Sequence, residues 1–165
     1  MKIGIYALEE IVTDDNRLEE IPEAEMQSLQ KTFVGEQIRR APSASFLDLD
    51  WDLWVGTIDG RIYKLSALFA DESSALADEV FSKATIFCDQ QYGRPVKHPN
   101  ACAMMWRTPF GNIVVDRQSV LGHHCVNFHA TSRKLVRSAI LKSNTVRWLV
   151  ILIIIAVALI IYAWL

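Results

Sequence analysis

The sequence predicts an α+β domain, an antiparallel sheet of about five strands packed by one or two helices, followed by a single C-terminal transmembrane helix. Three observations lead to this fold class. The segment FLDLDWDLWV (46–55) alternates apolar and acidic residues with the two-residue period of a half-buried strand. Strand and helix patterns do not alternate along the chain, so a doubly wound sheet is not expected. The last segment, WLVILIIIAVALIIYAWL (148–165), contains no charge, Gly or Pro.

These patterns divide the chain into three parts. Residues 1–131 form the α+β domain, 132–147 form a basic amphipathic juxtamembrane segment, and 148–165 form the transmembrane anchor. The formal net charge of −2 is unevenly distributed, because acidic residues gather near the N-terminus and basic residues precede the anchor. The sequence predicts no basic surface of the kind that binds nucleic acid, so nucleic acid is not an expected partner.

The N-terminal part of the chain is the least regular. Residues 2–12 fit either a short strand or a turn of helix, and 13–22 read as an acidic connection. Pro22 followed by Glu23 and Glu25 is typical of a helix start, and this helix is predicted to reach about Gln37. Residues 39–45 (RRAPSAS) read as a linker.

The best-defined local structure is a hairpin. The first strand is 46–55, in which the aspartates and the apolar residues lie on opposite faces. Asp59-Gly60 suits a type I′ turn, because glycine adopts positive φ without steric cost. The returning strand, RIYKLSALF (61–69), repeats the alternation.

A helix and three strands are predicted next. Asp71 or Ser73 caps the helix, and Tyr92-Gly93-Arg94-Pro95 ends it, since Gly93 accepts positive φ and Pro95 cannot continue a helix. The strands are 101–108, 112–117 and 123–131, with Pro109-Phe110-Gly111 turning between the first two.

The segment 132–147 combines apolar residues at helical spacing with basic residues. This pattern fits a helix lying at the lipid headgroups or a stalk continuous with the anchor, and Asn144 is the expected break. The residues predicted to meet lipid headgroups are Arg133, Lys134, Arg137, Lys142 and Arg147. Because no acidic residue follows Asp116, the positive-inside rule places residues 1–147 in the cytosol.

The anchor prediction depends on length and on aromatic residues. A helix over 148–165 is about 27 Å long, close to the thickness of the hydrocarbon core. Trp148 at one end, and Tyr162 and Trp164 at the other, would lie at the two interfaces. The N-terminus has no signal-peptide pattern, so a single-pass, tail-anchored protein with a cytosolic N-terminal domain is expected.

One candidate metal site lies on a strand. His123, Cys125 and His129 would share a face of the predicted strand 123–131, and imidazole and thiolate are zinc ligands. However, residues two apart on a strand are about 6.8 Å apart, so three such side chains do not easily converge on one ion. The alternatives are a polar strand face with a buried thiol, and a nucleophile pair of Cys125 with a histidine.

Other candidate positions have simpler explanations. Asp48, Asp50 and Asp52 could bind a hard cation, but carboxylates along a strand diverge, which favours a solvated polar face. The three cysteines, Cys88, Cys102 and Cys125, are expected to be buried free thiols. Trp54 lies opposite Trp51 on its strand, so it is either a protein-binding hot spot or a covered core residue.

No phosphate loop, nucleophile elbow, kinase motif or dinucleotide fingerprint is present. The sequence therefore predicts a non-enzymatic binding or regulatory domain held at a membrane, or an accessory subunit of a membrane complex. No cofactor is expected, except zinc in the metal reading. The expected partners are the lipid bilayer and a membrane-bound or membrane-recruited protein. Two alternatives stay open, an enzyme using His123, Cys125 and His129, and a lipid-interacting module acting through 132–147.

Overall fold

The computed structural model describes residues 1–13, 17–21, 33, 35–96 and 102–164. The side chains at 146, 147, 149, 150 and 156–164 are outside this description. The predicted N-terminal helix lies mostly outside it as well, since 22–32 and 34 are not described. At the predicted end of that helix, Gln37 already belongs to a strand.

Nine strands and two helices make up the described part of the chain. The strands are β1 (Lys2–Ile3), β2 (Tyr6–Ala7), β3 (Glu19–Glu20), β4 (Gln37–Phe46), β5 (Leu49–Ile58), β6 (Arg61–Asp71), β7 (Ala103–Arg107), β8 (Gly111–Val120) and β9 (His123–Ser132). The helices are α1 (Ser74–Tyr92), between β6 and β7, and α2 (Arg133–Trp164), after β9.

Seven strands form one sheet in the order β3-β4-β5-β6-β9-β8-β7, and every pairing in it is antiparallel. The α+β class is therefore confirmed, although the sheet has more strands than the five expected. The first residues, for which strand and helix both remained open, form a separate two-stranded hairpin of β1 and β2.

The prediction of a linker at 39–45 is wrong, because these residues belong to β4. The register between β4 and β5 shifts between Ala41 and Ala44, and Pro42 lies at this irregularity. A proline has no N–H for the ladder, so it is tolerated at a bulge or near an edge. On its other side β4 pairs, within the described part of the chain, with the two-residue β3. Proline and serine therefore made β4 resemble a linker in the sequence, although β5 pairs with most of its residues.

The turn between β4 and β5 also differs from the prediction. Leu47 and Asp48 have φ of 56° and 61°, so they form a turn and do not begin the strand. Positive φ at two successive residues is the type I′ geometry that matches the twist of antiparallel strands. The predicted hairpin between β5 and β6 is confirmed, with Asp59 and Gly60 at φ of 51° and 72°.

One face of the sheet, here called the helix-covered face, packs against α1. Its main core residues on the strands are Trp51, Leu53, Val55, Leu65, Ile113, Val115, Val126 and Phe128. Trp51 is completely buried, and its indole N–H donates to the carbonyl of Phe46 at 2.8 Å. Trp106 extends this core and donates to the Asp89 carboxylate of α1 at 2.9 Å.

The ends of α1 follow the predicted signals. Ser73 is the N-cap residue, since its hydroxyl accepts from the Leu76 N–H at 3.3 Å. The Asp71 carboxylate accepts from the Ser73 N–H at 2.7 Å, so both predicted capping residues contribute. Gly93 ends the helix with φ of 79°, and its N–H donates to the Asp89 carbonyl.

The second helix is continuous from Arg133 to Trp164. The predicted break at Asn144 is wrong, because residues on both sides of it are helical. The low helix propensity of asparagine is a weak effect that the surrounding turns override. Ser132 caps the helix start, since its hydroxyl accepts from the Leu135 N–H at 3.3 Å.

The first turns of α2 pack against the domain. Leu135, Val136 and Ala139 join Ile58, Tyr63 and Phe33 in a small apolar cluster, separate from the main core. Where β8 begins, a Cβ on Gly111 would lie 1.8 Å from the Thr131 carbonyl oxygen, so only glycine fits this approach to β9. Within the described residues, neither helix is long and apolar enough to cross a membrane.

Candidate functional site

The opposite face of the sheet, here called the polar face, has a row of side chains that crosses the sheet. Each residue of the row is the register partner of the next residue, on the neighbouring strand. From β3 to β7 the row contains Glu19, Arg40, Trp54, Ser66, His129, Val114 and Met105. Because partners on adjacent strands lie about 5 Å apart, such a row is a continuous surface. This face is the first candidate site.

His129 lies at the centre of the row and connects three strands. Its Nδ1 and the Ser66 hydroxyl of β6 share a hydrogen bond of 3.0 Å. Its Nε2 lies 3.8 Å from an Asp116 carboxylate oxygen of β8. The other Asp116 oxygen accepts from the Asn127 amide at 2.8 Å. Two strands adjacent to β9 therefore position the imidazole.

The surroundings of His129 favour its neutral form. Burial lowers the pKa of the imidazole from its usual 6.5, and the positive charge of Lys64 lowers it further. Asp116 acts in the opposite direction and raises this pKa. The imidazole is about a third exposed, at 34 %. At neutral pH the neutral ring can therefore accept and donate hydrogen bonds toward a ligand.

Ser66, His129 and Asp116 have the residue types of a hydrolytic triad, but the geometry is not that of one. The separation of 3.8 Å between His129 and Asp116 exceeds a hydrogen bond. An oxyanion hole needs N–H donors aimed at one point, whereas the residues flanking Ser66 are paired in the sheet with β5 and β9. The three side chains therefore form a polar cluster on this face without the geometry of a triad.

Trp54 is confirmed on the face opposite Trp51 and is half-buried. The Arg40 guanidinium lies 6.0 Å from the Trp54 ring centroid, and it also pairs with Asp52 at 3.3 Å. The indole N–H is buried, and it has no acceptor among the described residues. A flat aromatic beside a fixed cation is a common anchor for a protein partner.

The three predicted metal ligands lie along β9. His123 is exposed at the strand start and faces Val120, Cys125 is buried opposite Ala70, and His129 belongs to the central row. Within the described residues, no group of three or more His, Cys, Asp or Glu side chains could hold a metal ion. The zinc site stays a prediction, and no set of its ligands converges on one point among the described residues.

The cysteines differ from one another. Cys88 and Cys125 are buried, as predicted, but Cys102 is exposed. Burial and, to a smaller extent, the neighbouring Asp89 charge raise the pKa of the Cys88 thiol to about 12. Such a thiol is a poor nucleophile at neutral pH, because the thiolate is the reactive form.

The second candidate site is a groove of about 740 Å³ at the start of α2, here called the basic groove. It lies between this helix and the turn that joins β7 to β8. Its lining residues are Glu9, Pro109, Phe110, Arg133, Lys134, Arg137, Ser138 and Leu141. Three of the five predicted headgroup residues, Arg133, Lys134 and Arg137, are therefore brought together.

The other two predicted headgroup residues lie further along α2. The Lys142 ammonium pairs with Asp59 in the turn between β5 and β6. The side chain of Arg147 lies outside the described residues, as do those of Tyr162 and Trp164. Trp148, the first predicted anchor residue, is exposed.

A buried polar pair accompanies the packing of α2. The Tyr63 hydroxyl donates to the buried Glu36 carboxylate, whose other oxygen accepts from the Phe33 N–H at 3.0 Å. Burial and the Glu36 charge raise the pKa of Tyr63 well above its usual value of 10. A Cβ on Gly56 would lie 2.9 Å from the Tyr63 ring, so glycine makes room for it.

Sequence reasoning missed Ser66, Asp116 and Lys64 as neighbours of His129. The strand alternation places each of them on a face of its own strand, but it does not say which strands pair. Known protein families, curated proteins and solved structures provide no match to this chain. Functional inference therefore depends on the two candidate sites and on the terminal helix.

Proposed function

We propose that this chain is a non-enzymatic, membrane-anchored binding domain, which presents the polar face to a protein partner beside the bilayer. The observation that carries the proposal is a run of exposed apolar residues on α2. The side chains of residues 151–155 are all Leu or Ile, and each is between 44 % and 63 % exposed. Five consecutive residues cover every side of a helix with 3.6 residues per turn.

A helix that is apolar on every side needs an apolar environment. Among the described residues, the apolar packing of α2 against the domain comes from Leu135, Val136 and Ala139, which precede this run. The sequence continues the run to 165 with AVALIIYAWL, although the side chains beyond 155 lie outside the described residues. The proposed anchor is therefore 148–165, with the preceding domain in the cytosol.

The unbroken helix α2 restricts the movement of the domain relative to the proposed anchor. Since α2 has no break between its packed start and the apolar run, the domain cannot swing freely on a flexible tether. Confinement near the membrane raises the effective concentration of the polar face for a membrane-bound partner. A second version of this function is an accessory subunit whose span also contacts the partner.

Membrane insertion is tested with the full-length chain in its own cells. We expect the protein to stay in the pellet after alkaline carbonate extraction and its domain to be digested only from the cytosolic side. The variant Ile153→Lys/Ile154→Lys should move to the supernatant, because charges near the middle of a span oppose insertion by roughly 3 kcal/mol each. The control Lys83→Glu alters charge on α1 and should stay membrane-bound.

Partner binding is tested by detergent purification of the same protein, with identification of what accompanies it. Trp54→Ala should release the partner, whereas His123→Ala should retain it. Zinc analysis of this preparation tests the alternative function as a metal-dependent enzyme on the His123, Cys125 and His129 face. Stoichiometric zinc that is lost in His129→Ala would replace the binding proposal with the metal one, and wild-type protein released by carbonate would end the anchor proposal.

A further inference from the structure

The basic groove has more positive than negative charge, and part of that charge is already engaged. The Arg133 guanidinium donates to the Thr108 carbonyl at 3.3 Å. The Glu9 carboxylate, the groove's acidic residue, accepts from the buried Ser132 hydroxyl at 2.6 Å. Among the described residues, no carboxylate pairs with Lys134 or Arg137. These two exposed cations are therefore available to an anionic ligand.

The groove also has an apolar part. Phe110 and Pro109, in the turn between β7 and β8, form one wall, and Leu141 of α2 contributes to the other. Leu141 is 61 % exposed, so its apolar side chain is accessible from the groove. A ligand that fills the groove would thus combine negative charge with at least one apolar group.

The helix continuity decides whether lipid headgroups reach this groove. Arg137 precedes Trp148 by eleven positions and Arg133 by fifteen, which places them about 17 Å and 23 Å along a straight helix. The headgroup layer on each side of the hydrocarbon core is only about 5–8 Å thick. A typical tilt of about 20° shortens these heights by less than a tenth. The groove therefore lies beyond the headgroups.

We propose that the basic groove binds an acidic peptide segment of a membrane-bound partner, with an apolar side chain of that segment between Phe110 and Leu141. The exclusion of lipid depends on the proposed anchor, whereas the charge and shape of the groove do not. The sequence expectation of headgroup contact then remains for Lys142 and Arg147, which lie nearest to the apolar run.

An extended peptide suits this groove better than a small anion. Its helical side extends from Arg133 to Leu141, about 12 Å, which matches three or four residues of extended chain. The lining residues of α2 are exposed, so an occupant would keep one side in solvent. Small-molecule sites instead enclose most of their ligand. Carboxylates of the peptide would accept hydrogen bonds from Lys134 and Arg137.

The experiment uses the full-length protein in nanodiscs of phosphatidylcholine, which has no net charge. The probe is a short fluorescein-labelled peptide in which glutamate alternates with leucine, and binding is measured by fluorescence anisotropy. A matched peptide has glutamine in place of glutamate. We expect the acidic peptide to bind and to weaken with added salt, and the glutamine peptide to bind at least about tenfold more weakly.

Two single variants and one control locate the binding. Arg137→Glu and Lys134→Glu should each weaken the acidic peptide by roughly tenfold or more, because they place like charge in the groove. Lys83→Glu makes the same change of charge at a position of α1 that does not line the groove, and it should have no effect. Circular dichroism of each variant shows whether the fold is retained.

Two results would overturn the proposal. One is equal binding of the acidic and glutamine peptides, or binding that neither groove variant weakens although both fold. The other is displacement of the peptide by glycerol 3-phosphate at the concentration of the peptide itself, which would assign the groove to a phosphate-bearing ligand. Carbonate extraction of the same variants keeps the two proposals separate, since anchoring can fail while peptide binding persists, and the reverse.

Discussion

The two faces of the sheet differ in how their side chains are held, and two tryptophans three positions apart show the difference. Trp51 on the helix-covered face is fully buried and donates its indole N–H to a backbone carbonyl. Trp54 on the polar face is half-buried, lies beside Arg40, and has an indole N–H with no acceptor among the described residues. The first tryptophan serves the fold, and the second is the residue proposed to contact a partner.

The lesson is that residue type alone does not distinguish core from site. Both tryptophans are on β5, and Asp52 lies between them in the sequence. Their different roles follow from what the opposite layer provides. Helix α1 covers one face with apolar side chains, whereas the other face has a row that contains Arg40, Ser66 and His129.

The largest expected effect is on the helix-covered face. Trp51→Ala should lower the free energy of unfolding by about 3–5 kcal/mol, because it removes a fully buried ring and leaves a cavity. Trp54→Ala should cost only about 1–2 kcal/mol, because its ring is only partly buried. Urea denaturation of the full-length chain in detergent, followed by circular dichroism, measures both. An equal loss of the free energy of unfolding in both variants would mean that the two faces of the sheet contribute equally to stability.

A smaller effect is expected where α2 packs against the domain. Tyr63→Phe should cost about 1–3 kcal/mol, because it removes the hydroxyl that donates to one oxygen of the buried Glu36 carboxylate, while the Phe33 N–H still donates to the other oxygen. The raised pKa of Tyr63 means that the fold favours the protonated phenol. Its contribution is present below pH 10 and is lost as the pH rises above that value. A wild-type loss of stability above pH 10 that persists unchanged in Tyr63→Phe would contradict this assignment.

His129 should make the polar face sensitive to acid. Its lowered pKa means that the fold favours neutral imidazole, so its contribution is present above pH 6.5 and decreases as the pH falls below that value. His129→Gln should reduce this acid sensitivity, while His123→Gln, at the exposed start of the same strand, should leave it unchanged. Denaturation midpoints at pH 7.5 and pH 5.5 provide the measurement, and identical pH profiles for wild type and His129→Gln would refute it.

The smallest effect belongs to the ion pair between Lys142 and Asp59. Both side chains are mostly exposed, at 62 % and 63 %. Exposed pairs contribute about 0–1 kcal/mol, so Asp59→Asn should change stability by less than about 1 kcal/mol. The same urea denaturation in low and high salt tests this, since screening should remove any difference. A loss above 2 kcal/mol would indicate that this pair is a main attachment of α2.

Local sequence signals predicted the elements that depend on near neighbours. The alternation in β5 and β6, the turn at Asp59-Gly60 and the cap at Ser73 needed only residues a few positions apart. The strand β4 could not be predicted in this way, because Pro42 and its serines are poor strand formers. It is a strand because β5 provides hydrogen bonds along nearly all of its length.

The candidate sites show the same limit. His129, Trp54 and the basic residues of α2 were recognised from the sequence as chemically notable. Their neighbours were not, since Ser66 and Asp116 are 63 and 13 positions from His129 and meet it only through strand order. The expected helix break at Asn144 was wrong for a related reason, because one weak residue does not outweigh helical turns on both sides.

By itself, the sequence determined the alternating strands, the helix α1 and the apolar character of 148–165, because each follows from the period or composition of a continuous segment. Only the tertiary structure decided that the sheet has seven strands, that His129 lies between Ser66 and Asp116, and that Arg133, Lys134 and Arg137 line one groove. These features depend on which distant segments pair. Pairing is set by the packing of whole faces, and no local pattern in the chain specifies it.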